Sequence, residues 1–244
     1  LTHPTGLLDL RRIEQLTRVI SDIKNRGLDV VLVTSGAIGI GMSKLGMTAR
    51  PSELRYKQAA AAVGQCELMH IYDKFFLDYG QVVGQILITR ADIDHSDRQS
   101  MIADTFEALI ETGAIPVVNE NDSTGVDEIL FGDNDSLSAE VAVVTHADLL
   151  IIMSDIDGLF DRDPHRYADA KIIPIVHEIT DELRACAGGS ASTLGTGGMA
   201  TKLSAAETTM ASGIPMIITS GDDPTSLYEI IAGHGTGTLF TTAR

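Results

Sequence analysis

The chain has 244 residues, 44% of them hydrophobic, which is enough for one large α/β domain or two small ones around a sizeable core. Its 18 Lys+Arg against 34 Asp+Glu leave a formal net charge of -16, so a phosphate backbone is repelled over most of the surface and nucleic acid is excluded as a partner. No apolar run reaches the length of about 18 residues that a membrane-spanning helix needs, and the opening LTHPTGLLDL lacks a basic region followed by an apolar stretch. A soluble, cytoplasmic protein without a membrane partner is expected. Cys66 and Cys186 lack the spacing of a zinc site or a disulfide framework and read as core thiols.

In chain order, residues 9–26 read as a helix stopped by Gly27, 30–34 as a strand, and 53–79 as a helix with a break near Gly64. A strand follows at 82–89, a helix at 97–112 stopped by Gly113, and a strand at 115–118. The polar segment 123–130 reads as a hairpin or ordered loop. Beyond it come a helix at 136–146, a strand at 149–153, a second hairpin or loop at 161–177, a helix at 201–212, a strand at 214–219 and a helix at 225–232 after Pro224. Alternating strands and helices indicate an α/β fold. The strand runs are apolar and β-branched with little alternation, as expected of mainly parallel strands covered on both faces. There is no internal repeat and no linker, so a single domain with two lobes over 1–244 is the simplest organisation. The chain opens on a loop and helix, where a doubly wound fold usually opens on a buried strand.

Four segments carry candidate chemistry. Thr34-Ser35-Gly36-Ala37-Ile38-Gly39-Ile40-Gly41 follows a strand and opens a helix, where small residues let backbone N–H groups approach an anion. Its glycines fall as G-x-x-G-x-G and not as the dinucleotide fingerprint G-x-G-x-x-G, and on this motif alone a plain turn is an equal reading. Val118-Asn119-Glu120-Asn121-Asp122 and Gly132-Asp133-Asn134-Asp135-Ser136 gather carboxylates and amides beyond a strand's carboxyl end, a place suited to an ammonium group. Helix capping accounts for one of those aspartates but not for the cluster.

A glycine-rich loop, 188–198, runs into a helix bearing Lys202 in its first turns. Backbone N–H groups can wrap phosphates there while the lysine neutralises charge on a transferred phosphoryl group, although such loops are also plain connections. Ser154-Asp155-Ile156-Asp157-Gly158 ends a strand and suits contact with adenine or ribose, while Asp157-Gly158 is also an ordinary turn signal. The seven histidines are scattered without metal spacing, no G-x-S-x-G elbow occurs, and no metal-ligating residue is assigned.

Taken together, VTSGAI, KQAAAAVGQ, LITRAD, PVVNEND, FGDNDSLSA, SDIDGLF and LGTGGMATK resemble the glutamate 5-kinases of the amino-acid kinase family, in the same order and through nearly the whole chain. The resemblance implies an αβα sandwich around a mainly parallel sheet, with the amino acid over one half and the nucleotide over the other. It implies phosphorylation of the γ-carboxylate of L-glutamate by MgATP to γ-glutamyl phosphate, a step of proline biosynthesis. By the same resemblance, glutamate is held by Ser35, Asp122 and Asn134, with Gly36 and Ala37 lining the turn. ATP is held by Ser154, Asp155, Thr196, Gly197, Gly198, Met199, Ala200, Thr201 and Lys202. Lys202 stabilises the transferring phosphate, and Asp135 orients the catalytic lysines. Feedback inhibition by proline and a homo-oligomer are also implied. Two departures stand out: the family's N-terminal K-x-G-T-S strand with its second catalytic lysine is absent from this sequence, and the PUA domain that many members carry after the kinase domain is not seen in it.

The physics fits such a reaction. An attacking carboxylate is already ionised at neutral pH, so no general base is required, and positioning and charge neutralisation dominate. Within the fold, N-acetylglutamate kinase is the nearest rival, but its substrate carries an uncharged acetamide that matches an acidic cluster poorly. Uridylate kinase would need basic residues, and 119–135 contains none. A non-catalytic amino-acid sensor is the rival from another class; the intact GTGGMATK loop opposes it, and the missing first strand favours it.

Overall fold

The computed structural model describes residues 8–125, 134–164, 166–167, 169–187 and 198–243, with only the backbone for 185–187. They form two compact units, Leu1–Asn134 and Asp135–Arg244.

In the first unit, β1 (Leu32–Val33), β2 (Val83–Ile88) and β3 (Ile115–Glu120) make a parallel sheet in the order β1-β3-β2. Every residue of the central strand β3 is buried, which explains the unalternated apolar run at 115–118. The strand nevertheless continues through Asn119 and Glu120, so two polar side chains are carried into the interior at its carboxyl end. Helix α1 (Leu10–Asn25) starts where the Asp9 carboxylate accepts from the Arg12 N–H at 3.1 Å, and it buries Ile13, Leu16, Ile20 and Ile23 at helical spacing. Helices α2 (Ala37–Lys44), α3 (Leu54–Asp78), α4 (Arg90–Asp94) and α5 (Ser96–Glu111) complete the unit.

The expected break near Gly64 does not occur, and α3 runs uninterrupted from Leu54 to Asp78. Gly64 serves a different purpose. A Cβ there would lie 1.7 Å from the Ala37 carbonyl oxygen, and a Cβ at Gly41 would lie 1.7 Å from that of Ala60. Helices α2 and α3 therefore cross backbone to backbone, each supplying the glycine the other needs. Cys66, expected in the core, instead lies exposed on α3, because the helix buries its 60, 61, 64, 65 and 68 face.

In the second unit, β4 (Leu150–Ser154), β5 (Ile175–Val176), β6 (Met216–Ser220) and β7 (Thr238–Phe240) form a sheet in the order β4-β6-β7-β5. Its pairings are parallel except β6 with β7. Helix α6 (Asn134–Val144) begins on the last residue of the first unit, and α7 (Asp181–Ala187), α8 (Met199–Ala211) and α9 (Ser226–Ile231) follow. Ile152, Leu203, Ala206, Met216, Ile218 and Phe240 anchor the core. The α/β class with mainly parallel strands is thus as expected, while the described residues pair as one sheet in each unit.

The segment after β4 closes as a hairpin through an antiparallel bridge between Phe160 and Ile172. The buried Thr238 hydroxyl ties its base to β7, accepting from the Leu159 N–H at 2.8 Å and donating to the Ile173 carbonyl at 2.7 Å.

Candidate active site

In the first unit the candidate residues collect at the carboxyl ends of β1 and β3, where parallel strands leave backbone groups and a crevice for ligands. After β1, Thr34 extends the pairing by donating its N–H to the Val118 carbonyl at 2.9 Å. Ser35 and Gly36 then turn outward and are exposed, while Ala37 is buried at the start of α2. Gly36 has φ of 97°, a left-handed conformation that a side chain resists, and this sharp turn leaves the first N–H groups of α2 open at its N-terminus.

A chain of amides backs this turn. Asn134 donates through Nδ2 to the Thr34 carbonyl oxygen and, at 3.0 Å, to Oδ1 of Asn119. Asn119 in turn donates through its own Nδ2 to Oε1 of Gln65 at 2.7 Å. Behind Thr34, its hydroxyl meets the Tyr72 hydroxyl at 3.0 Å, and complete burial pushes the Tyr72 phenol up to about 12, keeping it neutral. The arrangement is buried and uncharged, which favours fixed orientation.

Asp122 stands differently. It lies in the turn after β3, where Thr124 and Gly125 both donate backbone N–H groups to the Asn121 carbonyl. Gln58 of α3 donates to the Ser123 carbonyl at 3.3 Å and braces the same turn. Half-buried, with no ion-pair partner among the described residues, the Asp122 carboxyl is lifted by desolvation from its ordinary 3.8 to about 6. A bound cation would relieve that penalty.

In the second unit the central feature is an ion pair at the start of α8. Lys202 Nζ donates to Oδ2 of Asp135 at 3.0 Å, and both side chains are largely withdrawn from solvent. The Thr201 hydroxyl lies 2.8 Å from the same carboxylate oxygen and 2.7 Å from the Gly198 carbonyl. The Asp135 carbonyl also accepts from the Ser138 hydroxyl at 2.6 Å, which fixes the first turn of α6. A buried pair of this kind is weak as a source of stability, because desolvation offsets the attraction. It is well suited to holding a cation ready beside a helix N-terminus.

Ser154 ends β4 in register with Ser220 of β6, and the Gly221 N–H donates to its carbonyl at 2.6 Å. The Ser154 hydroxyl donates to the exposed Asp155 carboxylate at 3.1 Å. Met199 is buried in the core, so only its backbone is left to face a ligand, whereas Ala200 is exposed. Asp133, Thr196 and Gly197 lie outside the described residues.

The structure therefore brings together Asn134 with the Ser35 turn, and Lys202 with Asp135, Thr201 and Gly198. It gives Thr34 and Asn119, expected only as members of candidate segments, definite hydrogen-bond partners, and it adds Gln65, for which no role was expected. The available signal was the spacing of Gln58 and Gln65, seven residues apart and so on one face of α3.

The amino acid kinase family model matches residues 5–220. The chain is 52% identical to the glutamate 5-kinase of Clostridium perfringens, over 98% of this chain and 91% of that protein. It is 48% identical to the glutamate 5-kinase of Listeria innocua, over 100% of this chain and 90% of the relative. Among solved structures, the isopentenyl phosphate kinase of T. acidophilum superposes with a TM-score of 0.62 at 17% identity, over 96% of this chain and 92% of that one, a likeness of fold alone. From the reach of the family match and the half-identity to these relatives, the chain belongs to the amino acid kinase family and resembles its glutamate 5-kinases.

Proposed function

We propose that the chain transfers the γ-phosphate of ATP to the side-chain carboxylate of L-glutamate. The observation that carries this is the half-identity to proteins named glutamate 5-kinase over nearly the whole chain. The geometry supports it with a desolvated, unneutralised Asp122 for an ammonium group and a buried Lys202 for a phosphoryl group.

In this reading Asp122 takes the α-ammonium, Asn134 and the Ser35–Gly36–Ala37 turn orient the substrate, and the carboxylate oxygen attacks the γ-phosphorus. A C–O–P linkage forms as the bond to the β,γ-bridging oxygen breaks, and ADP leaves with the electron pair. Ser154, Asp155 and the segment ending at Lys202 hold the nucleotide. Lys202, aimed by Asp135 and Thr201, neutralises charge on the phosphoryl oxygens as it develops.

Mg²⁺ belongs to this reading as a companion of the phosphates, whose charge it neutralises. Among the described residues no three His, Cys, Asp or Glu side chains gather as a metal cage. A donor set drawn from phosphates, water and at most a carboxylate such as Asp135 fits an ion of that coordination habit. Proline inhibition and a homo-oligomer belong to this reading through the resemblance, and a cytoplasmic location through the sequence composition.

A coupled assay for ADP release, run with glutamate and with N-acetylglutamate, tests the proposal. Turnover with glutamate is expected, with N-acetylglutamate much slower. No turnover with glutamate rejects it.

A further inference from the structure

Gln65 is 8% exposed, and its Nε2 is buried without a hydrogen-bond partner among the described residues. Leaving a buried donor unpaired is unfavourable, and an apolar side chain of the same length would avoid it. Its other atom, Oε1, is engaged: it accepts from Asn119 at 2.7 Å. The gain from having glutamine here therefore lies in that single acceptor and in what it holds.

What it holds is the orientation of two amides. An amide side chain has a donor end and an acceptor end, so a chain of them can run in only one sense without setting donor against donor. Thr34 offers a carbonyl oxygen at one end, and Gln65 offers Oε1 at the other. Between them Asn119 must turn its Nδ2 to Gln65 and its Oδ1 to Asn134, which spends both Nδ2 hydrogens of Asn134 on protein acceptors. Asn134 is left with Oδ1 alone, an acceptor, to offer a ligand.

We propose that Gln65 is a positioning residue that holds the polarity of the substrate site: the Thr34 carbonyl sets the sense of the amide chain, and Gln65, accepting from Asn119 at the other end, keeps Asn119 turned so that Asn134 presents a carbonyl oxygen, which selects a ligand that bears a donor there, the α-ammonium of an amino acid. This rests on the reading of Asn134 as a substrate ligand. Asp122 supplies charge for the same group, and the amide chain supplies direction. Gln58 on the same face of α3 braces the turn that carries Asp122, so one helix orders both acceptors.

The test uses the full-length protein with Gln65→Met, which keeps length and removes the acceptor, and Gln65→Glu, whose carboxyl accepts from Asn119 in either protonation state. With Met, the KM for glutamate should rise about tenfold, with kcat and the KM for ATP within twofold. Glutarate, which has the same carboxylates without the ammonium, should gain relative to glutamate, and Gln65→Glu should restore most of the discrimination. An unchanged ratio of glutamate to glutarate in Gln65→Met overturns the proposal, as does a loss in which both substrates fall equally. A second measurement needs no turnover. The Asn134 side-chain amide protons, assigned by their loss in Asn134→Asp, should exchange slowly in the unaltered protein and faster in Gln65→Met. Solvent-like exchange in the unaltered protein overturns the proposal, while absent glutamate turnover alone counts against the functional reading.

Discussion

The two units organise their candidate sites by different means. In the first, neutral amides and a carbonyl are chained through Thr34, Asn134, Asn119 and Gln65, and the Asp122 carboxylate is left without a counter-ion among the described residues. In the second, the opposite holds: Lys202 and Asp135 are already paired, and the surrounding hydroxyls of Thr201 and Ser138 only steady them. A site that must choose among similar small molecules gains from fixed direction and an unmet charge. A site that must tolerate charge building on a phosphoryl group gains from a cation whose position is set in advance. Selection and neutralisation thus call for different chemistry, and on the proposed reading the first unit supplies the one and the second unit the other.

Four variants press on this contrast. Lys202→Ala should lower kcat by about 10²–10³-fold with a smaller change in the glutamate KM, measured by steady-state ADP release; an unaltered kcat would remove Lys202 from the transition state. Gly64→Ala forces a Cβ into the Ala37 carbonyl and should destabilise the first unit by about 3 kcal/mol, a fall of roughly 6–12 °C in Tm by calorimetry. If the unfolding profile does not change, the backbone contact of α2 with α3 is not tight. Asp122→Ala should raise the glutamate KM about 10- to 30-fold, the worth of one charge-assisted hydrogen bond, and leave the ATP KM in place. An unmoved glutamate KM would detach Asp122 from the ammonium.

The fourth prediction concerns pH. Burial raises the Asp122 carboxyl from 3.8 to about 6, so the folded state holds its proton to higher pH than the unfolded chain does. Stability from this group is therefore lost as pH rises from about 4 to about 6 and stays reduced above that. The nominal penalty of about 3 kcal/mol falls to about 1 for a half-buried, solvent-screened group. Asp122→Asn should thus raise Tm by about 2–4 °C at pH 7.5 and leave it unchanged at pH 3.5. The glutamate KM of the unaltered protein should climb as pH drops below 6, because a protonated Asp122 no longer attracts an ammonium. A flat profile in both measurements would place this carboxyl in water.

Long periodic elements were legible because burial and propensity agree there: α1, α5, α8 and the strands β2, β3, β4 and β6 fall within a few residues of expectation. The strands β5 and β7, of two and three residues, were not, since so few side chains carry no periodicity and their pairing is decided by β6 and by Thr238. Gly64 misled in an informative way. From sequence alone a mid-helix glycine reads as a weakness, and only the neighbouring helix shows it to be a contact. The site divides likewise: polar residues at strand ends marked the places, but the 3.0 Å meeting of Lys202 with Asp135, 67 residues apart, and the direction of the amide chain are products of tertiary structure.

The crossing of Gly41 with Gly64 reaches beyond packing. The turn at Ser35 and Gly36 is carried by α2, whose backbone rests directly on α3, while Gln58 and Gln65 of that same α3 hold the turn at Asp122 and the amide behind Asn134. Two groups mounted on one rigid rod move together when the rod moves. A displacement of α3 would therefore carry both sides of the proposed amino-acid site along together, much as two lenses keep their focus on a shared bench.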